Sequence, residues 1–367
     1  MSREEGWTSS RYSPEDARDT LDLVRRTCGE VEAADSAHQE WRCQRGPAGA
    51  AIISLAREAE THRLVGWAAA IPVRVRLSGR VYLASLSLDP VIDLAYQGRE
   101  VAGGLLGDVC ALSAEESIAF TYGMPGQASH STFVDKAGFA SVGAAPFLVR
   151  PLNPERVAMK ATRSRVLSKT ASVARRVWRA PAPVTRQEAV PGLEIAEVDS
   201  FDGSFAVFWE RVQHRFPVMV VRDPPYLNWR FVDVPLREYT TFAARSDGEI
   251  RGFIVLRAAP LGQFSAGLVV DLLVEPSAEG RAAGRLLLDR ACSHFEGSDL
   301  DLVAALALRH TDEFRLLRSR GFWVSPKFLE PRPFRLAVRC HDEEPSPSRL
   351  ACDLRNWFLT MGDCEAG

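Results

Sequence analysis

The chain has 367 residues, 46% apolar and 25% charged, which at roughly 100–200 residues per domain predicts two or three domains around ordinary cores. Its 45 Lys and Arg against 47 Asp and Glu leave a net charge of −2, a balance that points to no polyanionic partner and argues against nucleic acid. Seven scattered cysteines without a Cys-x-x-Cys pair argue against a disulfide framework or metal site and for reduced thiols in a cytoplasmic protein. The polar N-terminus does not read as a signal peptide, and no apolar run approaches the roughly 18–20 residues of a membrane span.

Ser13-Pro14-Glu15-Asp16 reads as a helix start, with Ser13 as N-cap and Pro14 at the first helical position, and the helix runs to Cys28. Glu40-Trp41-Arg42 precedes Pro47 and Gly49, after which Ala51–Arg57 and Leu64–Pro72 read as strands. Val73–Leu77 and Val81–Ile92, around Ser78-Gly79-Arg80, read as a hairpin continuing that sheet. A Gly/Ala-rich helix from Val101 to Glu116 follows the turn Gln97-Gly98-Arg99. Its opening backbone N–H groups suit an anionic phosphate. Ile118–Tyr122 is predicted as a strand, Ser129–Ala137 as a short helix, and Phe147–Arg150 as the strand that closes the sheet.

The second half repeats this order. Trp229-Arg230 stands six residues before Pro235, as Trp41-Arg42 stands six before Pro47. Ile250-Arg251-Gly252-Phe253 parallels Leu64-Val65-Gly66-Trp67. Asp271 lies nine residues before Gly280, as Asp89 lies nine before Gly98, and Gly321-Phe322 closes the copy as Gly138-Phe139 closes the first. Markers in one order at nearly constant spacing define an internal duplication.

Between the copies, Arg150 to Arg186 carries ten Lys and Arg against the single acid Glu155. Val157, Val166, Val173 and Val177 fit one face of a helix ending near Trp178. Such a bridge reads either as a solvated linker or as a docking surface for something acidic, a carrier protein or anionic lipid.

Gln97-Gly98-Arg99-Glu100-Val101-Ala102, Tyr122-Gly123-Met124-Pro125 and Lys136-Ala137-Gly138-Phe139, with Glu279-Gly280-Arg281-Ala282-Ala283-Gly284 and Arg320-Gly321-Phe322 in the second copy, resemble the GNAT superfamily of acyl-CoA-dependent N-acyltransferases. Asn356 to Asp363 resembles the ending of bacterial tandem members. The resemblance implies an α+β chain of two tandem GNAT-like domains, each a mixed, mostly antiparallel sheet flanked by helices. The boundaries are 1–150, a basic and partly helical linker 151–191, 192–340, and a tail 341–367 packing on a domain. It also implies acetyl-CoA or another acyl-CoA as co-substrate and no metal. Donor-binding positions would be Leu88, Gln97, Gly98, Arg99, Val101, Ala102 and Gly103 in the first copy. In the second they would be Val274, Gly280, Arg281, Ala282, Gly284 and Arg285. The acceptor would be a primary amine of a small molecule or peptide. An acyl carrier protein docked on the basic linker, in bacterial secondary metabolism, is an alternative donor, and a catalytically inactive binding protein is an alternative reading.

Both copies depart from the family pattern. Glu100 sets a carboxylate where a glycine is expected, Ala282 replaces the equivalent glycine, and Glu279 replaces a Gln or Arg. The tyrosine that serves as general acid is replaced by Val134 and Leu317. The lean is therefore toward the first copy as the donor site, because it keeps Gln97. For amine deprotonation, Asp89 and Asp271, at equivalent strand positions, are candidates, with a structural role as the alternative. Glu275 follows on the second strand, or caps the turn at Pro276. Ser129 and His130 open the short helix near the expected thioester, as donor and base or as N-cap and surface residue; His310 is placed similarly in the second copy. Trp41-Arg42 and Trp229-Arg230 read as anchors of each copy's core, and Tyr122 and Tyr226 as cleft or core aromatics.

Overall fold

The computed structural model describes residues 6–163, 192–327, 330–341 and 347–364. Val166, Val173 and Val177 of the expected linker helix lie outside the described residues. The first unit begins with β1 (Trp7–Arg11), α1 (Ala17–Cys28) and α2 (Ser36–Gln44). Then come β2 (Ile52–Glu58), β3 (Leu64–Leu77), β4 (Arg80–Ser87) and β5 (Val91–Ile92). It continues with α3 (Val101–Glu115), β6 (Phe120–Gly123), a π-helical turn at Thr132–Lys136, β7 (Ala140–Ala144), β8 (Phe147–Pro151) and α4 (Pro154–Arg163). The second unit carries β9 (Leu193–Glu197), α5 (Gly203–Val212), β10 (Val218–Val220), α6 (Pro224–Phe231), β11 (Thr240–Ser246), β12 (Glu249–Leu261) and β13 (Phe264–Val274). It ends with α7 (Ala278–Phe295), β14 (Leu302–Leu306), α8 (Asp312–Ser319), β15 (Trp323–Val324) and β16 (Arg335–Cys340).

The two predicted strands flanking Pro72 are one strand, β3. Proline is tolerated because it falls between the last β2 partner, Ala70, and the first β10 partner, Val75, so its missing N–H breaks no bond on that edge. The predicted strand to Ile92 breaks after Ser87 and resumes as β5 against Gly66 and Trp67.

The sheets run β1-β2-β3-β4-β6-β16-β7 and β9-β11-β12-β13-β14-β8-β15. The two orders match position for position, and in both the fourth and fifth strands are parallel. The expectation that Phe147–Arg150 closes the first sheet is corrected by this topology. β8 pairs with β14 and β15 in the second sheet, while β16 pairs with β6 and β7 in the first. Each unit thus lends its penultimate strand position to the other's chain. At the crossing, Phe147 stacks on Phe334, with ring centroids 5.3 Å apart, and the Ala145 amide donates to the Phe334 carbonyl at 2.8 Å.

A second reciprocal contact joins the units. Trp41 of α2 stacks on Trp229 of α6 at 5.1 Å. Each indole N–H donates to the other's backbone carbonyl, Trp41 to Trp229 at 2.7 Å and Trp229 to Trp41 at 3.2 Å. Equivalent residues exchanging equivalent bonds are the mark of a pseudo-two-fold axis. These tryptophans therefore anchor the junction between the units, not the separate core of each copy. One hydrophobic cluster runs through that junction, including Trp41, Tyr122, Tyr226, Phe253 and Trp357. Two smaller ones lie beneath α3 and α7. No helix of the described residues is long and apolar enough to cross a membrane.

Candidate active site

In the first unit, β4 and β6 share only the pairs Ser85↔Thr121 and Leu86↔Tyr122 before they part. The chain then passes Leu88, whose amide donates back to Ala69 at 2.9 Å, and turns through Gln97 and Gly98 (φ +79°) into α3. The first bond closing this helix is Gly104 N–H to the Glu100 carbonyl, 2.9 Å, and Glu100 supplies no side-chain cap. The amides of Val101, Ala102 and Gly103 thus have no backbone partner among the described residues. Glu100 instead pairs with Lys136 on the π-helical turn, which turns its carboxylate from the amides toward a cation. Arg99 stacks over the Tyr96 ring at 4.5 Å, and the exposed Gln97 reaches the Ile92 carbonyl at 3.4 Å. A Cβ on Gly103 would meet the Lys136 Cβ at 2.9 Å, so this glycine lets the turn lie close against α3.

Asp89 sits at the mouth of the same divergence. Its carboxylate accepts from the Ser129 hydroxyl at 2.9 Å and the Gly126 amide at 3.4 Å, with Arg332 at 3.8 Å. It is 42% exposed, and it ties β4 to the segment leading into the π-helical turn. Asp89 and Ser129 are therefore brought together, and His130 turns aside toward the Ser141 hydroxyl at 3.4 Å.

The second unit is finished differently. β13 and β14 pair from Ala266↔Leu302 to Val269↔Ala305 and then part. Ser277 caps α7 by accepting from Gly280 N–H at 2.9 Å. A side chain on Gly280 would run into the Glu275 carbonyl, so glycine is required by the turn itself. Val274 is already engaged: its amide donates to Glu313 at 3.3 Å and its carbonyl accepts from Arg215 at 2.7 Å, within an Arg215–Glu313 pair at 2.6 Å. Glu275 and Glu279 both pair with Arg251, at 3.0 Å each, which places Glu275 in an ion network at the turn. Arg281 and Arg285 are exposed on α7, whereas Ala282 and Gly284 are buried, Gly284 against Leu316 of α8.

Asp271 does not face an open cleft. It is buried and accepts from Arg222 Nε at 2.9 Å, while Arg222 also donates to Asp363 at 2.7 Å. Asp271, read as a proton acceptor or as a structural carboxylate, is closed off by the C-terminal segment that covers it. Burial pushes the Asp363 carboxyl up, and the neighbouring Asp271 adds to this against the pull of Arg222. Phe358, Leu359 and Thr360 roof the second divergence, leaving a cavity of about 10 Å³ beneath them. His310 contacts the Trp357 carbonyl of the same segment at 3.0 Å.

Between the units lies a narrow pocket with a cavity volume of about 30 Å³. Leu86 and Leu88 of the first divergence line one wall, and Tyr226, Trp229 and Arg230 of α6 line the other. His38 of α2 also faces this space. Burial, reinforced by Arg42 and Arg237, lowers its imidazole pKa to about 4, so the ring is neutral at pH 7. Its Nδ1 is buried without a hydrogen-bond partner. Sequence reading missed His38: it stands three residues before Trp41, and no motif marks it. Arg222 and Asp363 were missed because they meet Asp271 only through tertiary folding. Tyr226 does line the pocket, whereas Tyr122 lies buried against Trp357 at 5.3 Å.

Comparison with known proteins bears on this geometry. Residues 206–323 match the Acetyltransferase (GNAT) family. No curated protein matches the chain. Among solved structures, a conserved Enterococcus faecalis protein of unknown function described as a probable N-acyltransferase aligns at 14% identity and TM-score 0.62, covering 91% of this chain and 72% of that one. Saccharomyces cerevisiae N-myristoyltransferase, solved with myristoyl-CoA and inhibitors, aligns at 14% identity and TM-score 0.59, with 92% and 81% covered. A tandem GNAT protein from the clavulanic acid biosynthesis pathway aligns at 12% identity and TM-score 0.57, with 92% and 99% covered. The fold is the acyltransferase fold of these proteins. The family's sequence signal lies in the C-terminal unit, and the chain as a whole shares the fold of the tandem GNAT protein.

Proposed function

We propose that the protein is an acyl-CoA-dependent N-acyltransferase in which the first unit binds the acyl donor and the second supplies the facing wall of the acceptor site. The observation that carries this reading is the continuity of the first divergence. The uncapped N-terminus of α3 follows the same divergence whose Leu86, in β4, and Leu88, just beyond it, line the inter-unit pocket. A diphosphate at α3 would gain unpaired amides and the helix dipole. A pantetheine arm laid along the parted strands would deliver its thioester to the pocket.

There an amine nitrogen attacks the thioester carbonyl, the carbon–sulfur bond breaks, and the proton lost by nitrogen is matched by one gained by the thiolate. Orientation supplies much of the rate in such a transfer. The neutral His38, whose Nδ1 has no hydrogen-bond partner, is placed to accept a hydrogen bond from the amine. Asp89 holds Ser129 at the cleft mouth and positions the turn beside α3.

Calorimetry of the full chain with acetyl-CoA and a series of longer acyl-CoAs tests this. The expected result is a single donor site per chain. A chain that binds no acyl donor would be the scaffold of a binding protein instead, and the reading would fail.

A further inference from the structure

Among the described residues, the inter-unit pocket is lined by three guanidinium-bearing residues, Arg42, Arg230 and Arg237, and by no carboxylate. Their surroundings differ. Arg237 pairs with Glu32 at 2.7 Å, and Arg257 pairs with the same carboxylate at 2.8 Å, so one acid serves two arginines. Arg42 lies over the Trp67 ring at 5.8 Å. Arg230 is 6% exposed. It donates to the backbone carbonyls of Gly362 at 3.3 Å and Cys364 at 3.1 Å, and it forms no ion pair among the described residues. Tyr239 also lies beside it. A buried guanidinium with no carboxylate partner among the described residues is costly, and a carboxylate offers it two parallel charge-assisted bonds. Beside it, His38 is 2% exposed with Nδ1 unpartnered. A buried cation and a buried neutral acceptor thus face one space.

We infer that this pocket selects an acceptor amine that also carries a carboxylate, the carboxylate held by Arg230 with Arg42 and Arg237 and the amine presented to His38. The inference rests on the pocket being the acceptor site of an N-acyltransferase. The two aromatic faces of Trp41 and Trp229 form the pocket's hydrophobic side, against which a short methylene chain lies.

The test uses the full chain without any acyl donor. It is titrated with 4-aminobutanoate, butanoate and butylamine at matched ionic strength, with binding read from the fluorescence of the tryptophans at the pocket. We expect 4-aminobutanoate to bind about tenfold more tightly than butylamine, as one charge-assisted contact implies, and butanoate to compete with it. Arg230→Gln should erase the preference. Because Arg230 is buried, Arg237→Gln at the rim is the companion variant, with an expected loss of several-fold, roughly the effect of one peripheral charge. Butylamine binding as tightly as 4-aminobutanoate, or none of the three binding, overturns the inference. Since no donor is present, this outcome is read independently of acyl-CoA calorimetry: a donor-binding protein indifferent to the carboxylate sinks this inference alone.

Discussion

The two helices that follow the parted strands occupy equivalent places in the repeat, yet α3 begins with amides that have no backbone partner among the described residues, whereas α7 begins with Ser277 bonded to Gly280. The strand ends differ in the same sense. Leu88 lines the inter-unit pocket, and Val274 is held at both its amide and its carbonyl by the buried Glu313–Arg215 pair. Beyond Val274, the C-terminal segment closes over Asp271 through Arg222 and Asp363. The duplicated fold thus treats its two divergences differently: one borders the inter-unit pocket, and the other uses its polar groups to hold the chain together.

The largest expected effect concerns the closed divergence. Arg222→Met leaves Asp271 and Asp363 buried and facing each other, and should destabilise the fold by about 3–5 kcal/mol, measured by chemical denaturation. A loss below about 1 kcal/mol would mean that the tail is not locked by this cluster. Next comes His38, on the open side. Its pKa is lowered from 6.5 to about 4, so the unfolded chain takes up a proton that the folded chain refuses. Its share of stability is complete above pH 6.5 and is lost as the pH falls toward 4. The groups bearing on the ring are Arg42 and Arg237, with Glu32 and the Pro235 carbonyl opposing them. The shift corresponds to about 3 kcal/mol across that window, and His38→Gln should flatten the slope seen in denaturation at successive pH values.

A smaller effect separates the units as donor sites. Gly98 lies at φ +79° and is exposed, a conformation that aspartate tolerates better than most residues. Gly98→Asp should therefore act mainly by charge and weaken acetyl-CoA binding about tenfold. Gly280→Asp should cost stability, because its side chain meets the Glu275 backbone, while leaving donor affinity within about twofold. The reverse pattern would transfer the donor site to the second unit. The smallest change is expected from Glu100→Gln. It removes a carboxylate near α3 and its pair with Lys136, and should tighten acetyl-CoA binding by about twofold to fivefold, the scale of one exposed charge at a helix terminus.

Much of the site was legible because its parts are local. The spacing of Asp89 to Gly98 and of Asp271 to Gly280 placed both strand–turn–helix pieces, and short-range chemistry fixes such pieces wherever the chain goes. Glu100 also read correctly as a departure, but its direction did not: Lys136 lies 36 residues away in sequence, and only packing of the π-helical turn on α3 brings them together. Asp89 and Asp271 looked interchangeable in the repeat. One is 42% exposed beside Ser129, and the other is buried under the tail.

By itself the sequence determined the duplication, the helix starts and the apolar strands, since periodicity, capping residues and turn glycines act over a few residues. Only the tertiary structure decided which sheet β8 and β16 join, because an alternating strand satisfies either sheet equally and the choice rests on the reciprocal crossing at Phe147 and Phe334. It likewise decided that Trp41 and Trp229 meet each other, and that His38 and Arg230 share one pocket. Burial sets the charge state of His38 and the cost of Arg230, and burial belongs to the assembled pair of units and not to any stretch of the chain.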